Sequence, residues 1–311
     1  MKTRFSASPE ASGTSTTPGT SPELARRGLL FVCIAVIFFG SNPVFVRWAA
    51  PFSSLEIAFW RLAIATLLVA LMGLITHQPL RIARGEIRNF AFYGLVTALH
   101  FVFYISSLSF TTIAHSLALT YTSPIFVTLF SVIFLKEPLP KRKYVGIGVA
   151  VLGVAILAGF EPNYTTCNLN GGKCMILGDG LAILSALCFG IYSIAGRSVR
   201  DAHPLFRYTT NVYGFAALWL LPIGAYLAFQ HSYSTLAIAS VVALGVFPLG
   251  LGHTLYNAAI RYVHATYANL IATQEVTIGI ILGIIFFHEI PSWSAVIGII
   301  ITLLGIISVI F

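Results

Sequence analysis

The sequence predicts an all-α integral membrane protein with ten transmembrane helices, arranged as two inverted five-helix repeats around a central cavity. Composition predicts the membrane class: of 311 residues, 57% are hydrophobic and only 9% are charged, whereas soluble domains carry about 25% charged residues. The apolar residues form runs of roughly 20, the length that crosses the hydrocarbon core of a bilayer. An internal repeat predicts how the helices are arranged.

Ten apolar runs follow a polar N-terminal segment. Residues 1–27 are rich in Ser, Thr, Pro, Gly and Ala without apolar periodicity, which predicts a disordered cytoplasmic tail. Since backbone polar groups in lipid must be satisfied internally, each run is expected to be helical. The runs cover residues 28–48, 55–75, 88–108, 112–135, 143–160, 178–197, 206–229, 235–258, 264–287 and 292–311.

The basic residues predict the orientation. Most of the 18 Lys and Arg residues lie in the tail and in alternate connections, around residues 81–88, 136–143 and 197–207. This positive-inside bias places both termini in the cytoplasm and makes the chain a multi-pass protein of the cytoplasmic (inner) membrane, surrounded by lipid. The net charge of +8 therefore indicates topology, and no nucleic acid is expected as a partner.

The longest outward connection, residues 161–177, contains Cys167 and Cys174. A disulfide between them suits an oxidising exterior, and two free thiols are the alternative.

The second half of the chain resembles the first at an offset of about 152 residues. This divides the chain into repeats at 28–160 and 178–311. Because five helices is an odd number, the second repeat must enter the membrane inverted, an arrangement typical of secondary transporters with a substrate site near the midplane. The matching pairs are Phe134–Glu137 with Phe286–Glu289, Gly146 with Gly298, Gly153 with Gly305, and Tyr104 with Tyr256.

Four motifs carry a resemblance to a known family: Phe39-Gly40-Ser41-Asn42-Pro43, Phe59-Trp60-Arg61-Leu62-Ala63, Ser123-Pro124-Ile125 and Phe134-Leu135-Lys136-Glu137-Pro138. With the duplicated layout, they resemble the drug/metabolite transporter superfamily, specifically its EamA-type ten-helix exporters, over about residues 28–311. The second repeat has no Pro matching Pro124 and no Arg matching Arg61. The resemblance implies a proton-coupled or gradient-driven exporter of amino acids or other metabolites, similar to the YddG-like exporters.

Glu275 is the strongest candidate for function. It is an acidic residue near the centre of the ninth run, where charge is costly. Burial favours the protonated form of a carboxyl group, so Glu275 is expected to exchange protons or to contact a substrate amine. The alternative is a structural ion pair with Arg61 or with a histidine.

Prolines predict broken helices at Pro43, Pro124 and Pro248. A helical proline frees a carbonyl, which in a membrane needs a partner or a water-filled cavity; simple kinks for packing are the alternative. Polar and aromatic residues near these breaks predict a cavity for an amphiphilic metabolite such as an apolar or aromatic amino acid. The predicted binding residues are Asn42, His100, Tyr104, Tyr121, Ser123, Tyr192, His253, Tyr256, Asn257 and Glu275.

Other residues are assigned structural roles. Arg61 is interpreted as a helix anchor, with binding of a carboxylate as the alternative. Glu137 and Glu289 are expected to accept hydrogen bonds from free backbone amides at the start of the following helices. Small residues allow close helix approach, so the fifth and tenth helices are expected to pack together through Gly146, Gly153, Gly298 and Gly305.

Rival classes fit less well. An enzyme is not expected, because the chain has no paired carboxylates and no metal-ligand motif at useful spacing. No metal and no cofactor are predicted. A channel or receptor is the alternative to a carrier, as is an exporter of other metabolites or drugs, and neither a charge ring nor a filter loop is visible. A monomer suffices, because one chain contains both repeats.

Overall fold

The computed structural model describes residues 22–110, 113–158, 167–168, 173–199, 201–227, 232–288 and 293–310. Residues 1–21 of the predicted tail and most of the predicted outward loop lie outside these residues. Residues 22–27 were predicted to belong to the disordered tail, and they instead form the start of the first helix, Pro22–Gly40. Within them, helix dominates, apart from a 3-10 turn at Arg84–Glu86. The helices are α1 (Pro22–Gly40), α2 (Asn42–Trp48), α3 (Ser54–Ile75), α4 (Ile87–Phe110), α5 (Ile113–Thr120), α6 (Ser123–Phe130), α7 (Lys141–Ala158), α8 (Met175–Ser198), α9 (Leu205–Leu227), α10 (Thr235–Leu244), α11 (Thr254–Ala259), α12 (Ala265–Ala272), α13 (Glu275–Phe287) and α14 (Trp293–Ile310).

Seven helical segments of the described residues are long and apolar enough to cross a membrane. Two shorter apolar helices, Ser123–Leu135 and Val296–Val309, accompany them. The outer surface is apolar too: Leu67, Ile75 and Trp293 are among many large hydrophobic side chains that stand exposed. Such a surface is stable against lipid tails and not against water, so the chain is a multi-pass membrane protein.

Three helices are interrupted inside the apolar region. α1 and α2 are separated by Ser41, α5 and α6 by Tyr121–Thr122, and α12 and α13 by Thr273–Gln274. Pro43 and Pro124 are the second residues of α2 and α6, in the first helical turn, where their missing N–H and fixed φ are tolerated. Because the preceding turn cannot continue through a proline, the helix ends and restarts.

The third interruption corrects the sequence prediction. Glu275 was expected near the middle of a continuous helix, yet it is the first residue of α13. Neither Pro nor Gly marks this break. The Thr273 hydroxyl donates to the Leu270 carbonyl at 2.6 Å, a local bond that competes with helix continuation. The α13 N-terminus also presents free amides that favour an acidic side chain there.

Two π-helical segments complete the helices: Ser131–Leu135 after α6 and Gly245–His253 between α10 and α11. The second contains Pro248, whose missing N–H removes one backbone hydrogen bond. A wider turn accommodates that loss, and such segments occur frequently at functional sites. The Gly245–His253 segment ends at His253, which is buried.

The main core lies between α1, α3, α4, α8, α9 and the α10–α12 region, and α7 packs against α14 and α12 in a smaller cluster. Outside the helices, β1 (Cys167–Asn168) and β2 (Lys173–Cys174) form a two-residue antiparallel ribbon that pairs Cys167 with Cys174. Cys174 is disulfide-bonded, and the Cys167 side chain lies outside the described residues, so the pairing of the two cysteines stays a prediction.

α7 and α14 cross antiparallel with their backbones almost touching. A Cβ added at Gly146 would lie 3.1 Å from the Gly305 carbonyl, and one at Gly153 would lie 2.8 Å from the Gly298 carbonyl. Halfway between them, Thr302 donates to the Ala150 carbonyl at 3.5 Å. Exchanging α7 and α14 at the offset of about 152 residues converts the Gly146–Gly305 contact into the Gly153–Gly298 contact. This is the pattern that a two-fold relation between two helices produces.

This contact predicts that alanine is tolerated at one glycine of α7 and not at another. Gly153→Ala would place a methyl group 2.4 Å from the Thr302 backbone nitrogen, and overpacking of this kind costs about 1–3 kcal/mol. We expect a lower melting temperature of the purified protein in detergent. Gly148→Ala on the same helix has nothing within 4 Å and should leave it unchanged or slightly higher. Equal melting temperatures for the two variants would contradict the packing argument.

Candidate functional site

The helix breaks converge on one buried cavity of about 40 Å³. Thr120 and Tyr121 line it from the end of α5, Ser123 from the start of α6, and Asn42 and Glu275 from the starts of α2 and α13. A cavity of this size admits a few water molecules at most, whereas metabolite sites measure about 300–1,000 Å³. Binding of a metabolite therefore requires the walls to separate.

One wall of the cavity is aromatic. The His253 ring lies 4.6 Å from Phe39 and 5.1 Å from Phe101, and His100 lies 5.1 Å from Phe189, measured between ring centroids. These rings come from α1, α4, α8 and the π-helical segment. His100 is fixed by Ser185, whose hydroxyl and carbonyl lie 2.9 and 3.0 Å from its Nδ1. The wall is thus apolar on the ring faces and polar only at the ring nitrogens.

A second wall of the cavity is polar and contains Glu275, which is 8% exposed. The Tyr121 hydroxyl donates to its Oε2. Its Oε1 makes no hydrogen bond of ordinary geometry within the described part of the chain, although Asn42 and Tyr104 are close enough to interact with the carboxyl group. Ser123 donates to Asn269 at 3.2 Å and joins α6 to α12 beside it.

Arg61 lies directly behind this polar wall and is completely buried. Its Nη1 donates to the Asn42 side-chain oxygen at 3.4 Å, and its guanidinium lies 4.4 Å above the Phe101 ring. Arg61 and Glu275 attract each other electrostatically, yet no ion pair joins these two described residues. Asn42 lies between the two charges, at the break of the first apolar segment.

Of the ten predicted binding residues, seven line the cavity: Asn42, His100, Tyr104, Tyr121, Ser123, His253 and Glu275. The other three form a layer behind it. Asn257 donates to the Tyr192 hydroxyl and, at 2.8 Å, to the His253 carbonyl. The Tyr256 hydroxyl lies 2.8 Å from the Ser193 hydroxyl. These contacts hold the aromatic wall in place. Tyr192, Tyr256 and Asn257 therefore do not line the cavity in this structure, and their part in binding stays a prediction.

The sequence reasoning missed six lining residues: Phe39, Phe101, Thr120, Phe189, Asn269 and Ala272. Asn269 carried a usable signal, because an amide at membrane depth is expensive unless it serves a site or a partner. The phenylalanines and Ala272 carried none, since a lipid-facing and a cavity-facing apolar side chain look the same in a sequence.

One end of the helix bundle is closed by ionic contacts. Glu137 binds Arg197 with both oxygens, at 2.8 and 3.0 Å, and Arg197 also donates to the Ile260 and Val263 carbonyls at 2.7 Å. Glu137 was expected to bind backbone amides, and its partner is instead Arg197 of α8, because the αL conformation of Lys136 turns the chain toward that helix. Glu289 lies outside the described residues.

A second ionic cluster lies at the same end. Glu86 contacts Arg207 and His203, each at 3.2 Å, and Arg261 donates to the His203 carbonyl at 2.8 Å. Burial lowers the pKa of His203, so Arg207 rather than His203 supplies positive charge to Glu86 near neutral pH. These contacts tie the α3–α4 connection to the α8–α9 and α11–α12 connections.

The other end contains a larger cavity of about 250 Å³. It is lined by Pro43 and Arg47 of α2, Ile57 of α3, and Leu108 and Ser109 of α4, among others. Asn42 lines the central cavity and Pro43 lines this one, so consecutive residues at the start of α2 contact the two cavities. Ion pairs therefore close one end of the helix bundle, and the other end contains the larger cavity.

The profile of the EamA-like transporter family matches residues 26–159 and, a second time, residues 176–311. The chain belongs to this family. Among its relatives are the pseudopaline exporter CntI of Pseudomonas aeruginosa, 26% identical over 89% of this chain and 93% of the relative, and the threonine/homoserine exporter RhtA of Escherichia coli, 25% identical over 74% and 72%. Solute carrier family 35 member G1 of Homo sapiens is 23% identical over 90% and 79%.

A protein of known crystal structure, 18% identical in sequence, has the same fold: the TM-score is 0.73, covering 90% of this chain and 95% of that one. The two matches of the family profile confirm, at the level of the family, the EamA-type resemblance seen in the motifs. The named relatives are transporters, and the substrates in their names differ, so family membership does not identify the solute that this chain carries.

The closed end predicts a stability difference between two carboxylate substitutions. Glu137→Gln removes a negative charge from beside an arginine whose side chain is 1% exposed. We expect a loss of about 2 kcal/mol, because the side chain keeps one acceptor oxygen and loses the second hydrogen bond together with the ionic attraction. Thermal unfolding in detergent measures it. Glu23→Gln breaks the Arg27 pair, whose side chains are 62% and 78% exposed, and should change nothing measurable. A melting temperature for Glu137→Gln equal to that of Glu23→Gln would show that the Arg197 contact contributes no stability.

Proposed function

We propose that this protein is a secondary transporter that exports small metabolites across the cytoplasmic membrane by alternating access, with apolar or aromatic amino acids as its substrates. The observation that carries the proposal is the convergence of three broken helices and a π-helical segment on one buried cavity. Carriers place their sites at discontinuous helices near the membrane midplane, where irregular backbone can line a cavity.

Several observations support ten crossings in two inverted repeats, residues 28–160 and 178–311, joined by the outward loop 161–177. The family profile matches the chain twice. The breaks before Ser123 and Glu275 stand at the offset of about 152 residues seen in the sequence. Lys136 and His288, at the same offset, both end their helices in the αL conformation. The reciprocal contacts of α7 and α14 fit the same two-fold relation.

The cavity also supports the substrate class. Its aromatic wall suits an apolar or aromatic side chain, and its polar wall supplies a carboxylate. Threonine and homoserine, named for one relative, are amino acids, whereas pseudopaline, named for another, leaves other metabolites or drugs as the alternative substrates. Both repeats line the cavity within one chain, so a monomer suffices.

The two unlike ends support alternating access. In the proposed orientation, with both termini cytoplasmic, the ionic contacts of Glu137 and Glu86 close the cytoplasmic end, and the larger cavity opens toward the exterior. Substrate entry from the cytoplasm would then require those contacts to separate. A channel would need a continuous path, and a receptor would need no flux at all.

Glu275 is proposed to couple transport to protons, because a carboxyl group that lines a cavity within the membrane can take up and release a proton along the route of the solute. The test is uptake of labelled amino acids into proteoliposomes, with and without a pH gradient. We expect saturable uptake of apolar or aromatic amino acids that a pH gradient accelerates, and a Glu275→Gln protein whose residual uptake no longer responds to the gradient.

Glu23→Gln is the matched control, because it removes a carboxylate that is exposed and remote from the cavity. It should retain the pH response of the unmodified protein. Uptake that still follows the gradient in Glu275→Gln would disprove coupling at this residue, and non-saturable flux would favour a channel.

A further inference from the structure

Two opposite charges are buried at the central cavity without being paired to each other. Arg61 is completely buried and Glu275 is 8% exposed. The side chain of Asn42 separates them: it accepts from Arg61 at 3.4 Å and lies within interaction distance of the Glu275 carboxyl group. A structural ion pair would bring the two groups into direct contact, since buried charges are stabilised only by close partners.

Each charge also retains bonding capacity. Within the described residues, the Nε of Arg61 and the Oε1 of Glu275 make no hydrogen bond of ordinary geometry. The hydrogen bond from Arg61 to Asn42 is longer than the 2.7–2.9 Å expected for a strong charge-assisted bond. The Phe101 face contacts the guanidinium without using its N–H donors. The guanidinium group therefore keeps N–H donors available for a further acceptor. Their planar, forked geometry fits the two oxygens of a carboxylate.

The other titratable side chains around the cavity do not change its charge balance at neutral pH. They are His100, His253, Tyr104 and Tyr121, all buried in apolar surroundings that favour neutral forms. When Glu275 is ionised, the site as a whole therefore has one positive and one negative charge. An anion or a cation entering it would bring an uncompensated charge into the membrane interior, and a zwitterion would not.

We propose that the cavity recognises both charged groups of an α-amino acid at once, with Arg61 and Asn42 binding the carboxylate and Glu275 binding the ammonium group. The carboxylate takes the place of the Asn42 oxygen at Arg61, and the Asn42 amide N–H₂ then donates to the substrate. Movement at the Ser41 break, immediately before Asn42, exposes the guanidinium. This inference rests on the proposed transport function and narrows its substrate to free zwitterions.

The test is competition against uptake of labelled phenylalanine by proteoliposomes, with three unlabelled analogues. Unlabelled phenylalanine should compete fully. Phenethylamine, which lacks the carboxylate, and N-acetylphenylalanine, which lacks the ammonium charge, should each compete at least about tenfold more weakly, because each leaves one buried charge without its partner. Phenylalanine amide should behave like phenethylamine.

Two variants assign the charges to residues. Arg61→Gln should lose affinity for phenylalanine and lose none for phenethylamine, so that the tenfold preference disappears. Glu275→Gln should do the same for the preference over N-acetylphenylalanine. Ratios of competition constants are read within one protein preparation, so partial misfolding of a variant does not alter them, and the analogue series on the unmodified protein tests the proposal without any variant.

The possible outcomes distinguish a failure of zwitterion recognition from a failure of amino-acid transport itself. Saturable uptake with phenethylamine or N-acetylphenylalanine competing as well as phenylalanine would refute zwitterion recognition and leave the carrier intact. Preferences that persist in Arg61→Gln would refute the role of that residue. Absence of uptake for every amino acid, with transport of another solute, would overturn the substrate class and the inference with it.

Discussion

The structure depends on one constraint: inside a membrane every backbone N–H and C=O group must find a partner, so a helix can be interrupted only where protein or a hydrated cavity satisfies the freed groups. Three interruptions and a π-helical segment lie within the apolar part of this chain. They cannot face lipid, and packing them together at one place gives all of them the same polar surroundings. The cavity is therefore a consequence of where the helices break.

The same constraint governs charge. Arg61 and Glu275 would be prohibitively costly if they faced hydrocarbon, and both lie at the place where the breaks meet. The Tyr121 hydroxyl that donates to Glu275 itself belongs to the α5–α6 break. The helix breaks and the buried charges thus stabilise each other. The breaks expose polar backbone groups within the membrane, and the charged side chains lie where those groups make the surroundings polar. Elsewhere in the described residues, charged side chains concentrate at the ends of the helices, where Glu137 and Glu86 find arginine partners.

The α7–α14 contact and the lining of the cavity are two different kinds of packing. α7 and α14 meet through glycines so closely that a single methyl group would collide with backbone. The cavity wall instead consists of large aromatic rings and long polar side chains, which reorient at lower cost than a backbone contact. Arg61 and Pro124 have no counterpart in the second stretch that the family profile matches. The two halves of the chain therefore contribute different side chains to the site.

By itself, the sequence determined the membrane class, the family and two of the three helix breaks, because composition, run length and proline act locally and leave a direct trace in the chain. It also identified seven lining residues, since polar groups at membrane depth are expensive and therefore conspicuous. Only the tertiary structure revealed the break before Glu275, which no Pro or Gly announces. It alone decided that Tyr192, Tyr256 and Asn257 lie behind the wall, that Phe39, Phe101 and Phe189 form it, and that Asn42 separates Arg61 from Glu275. These are relations between segments that lie far apart in the chain. Lipid-facing and cavity-facing side chains are equally apolar in the sequence, so only the packing of the helices distinguishes one kind from the other.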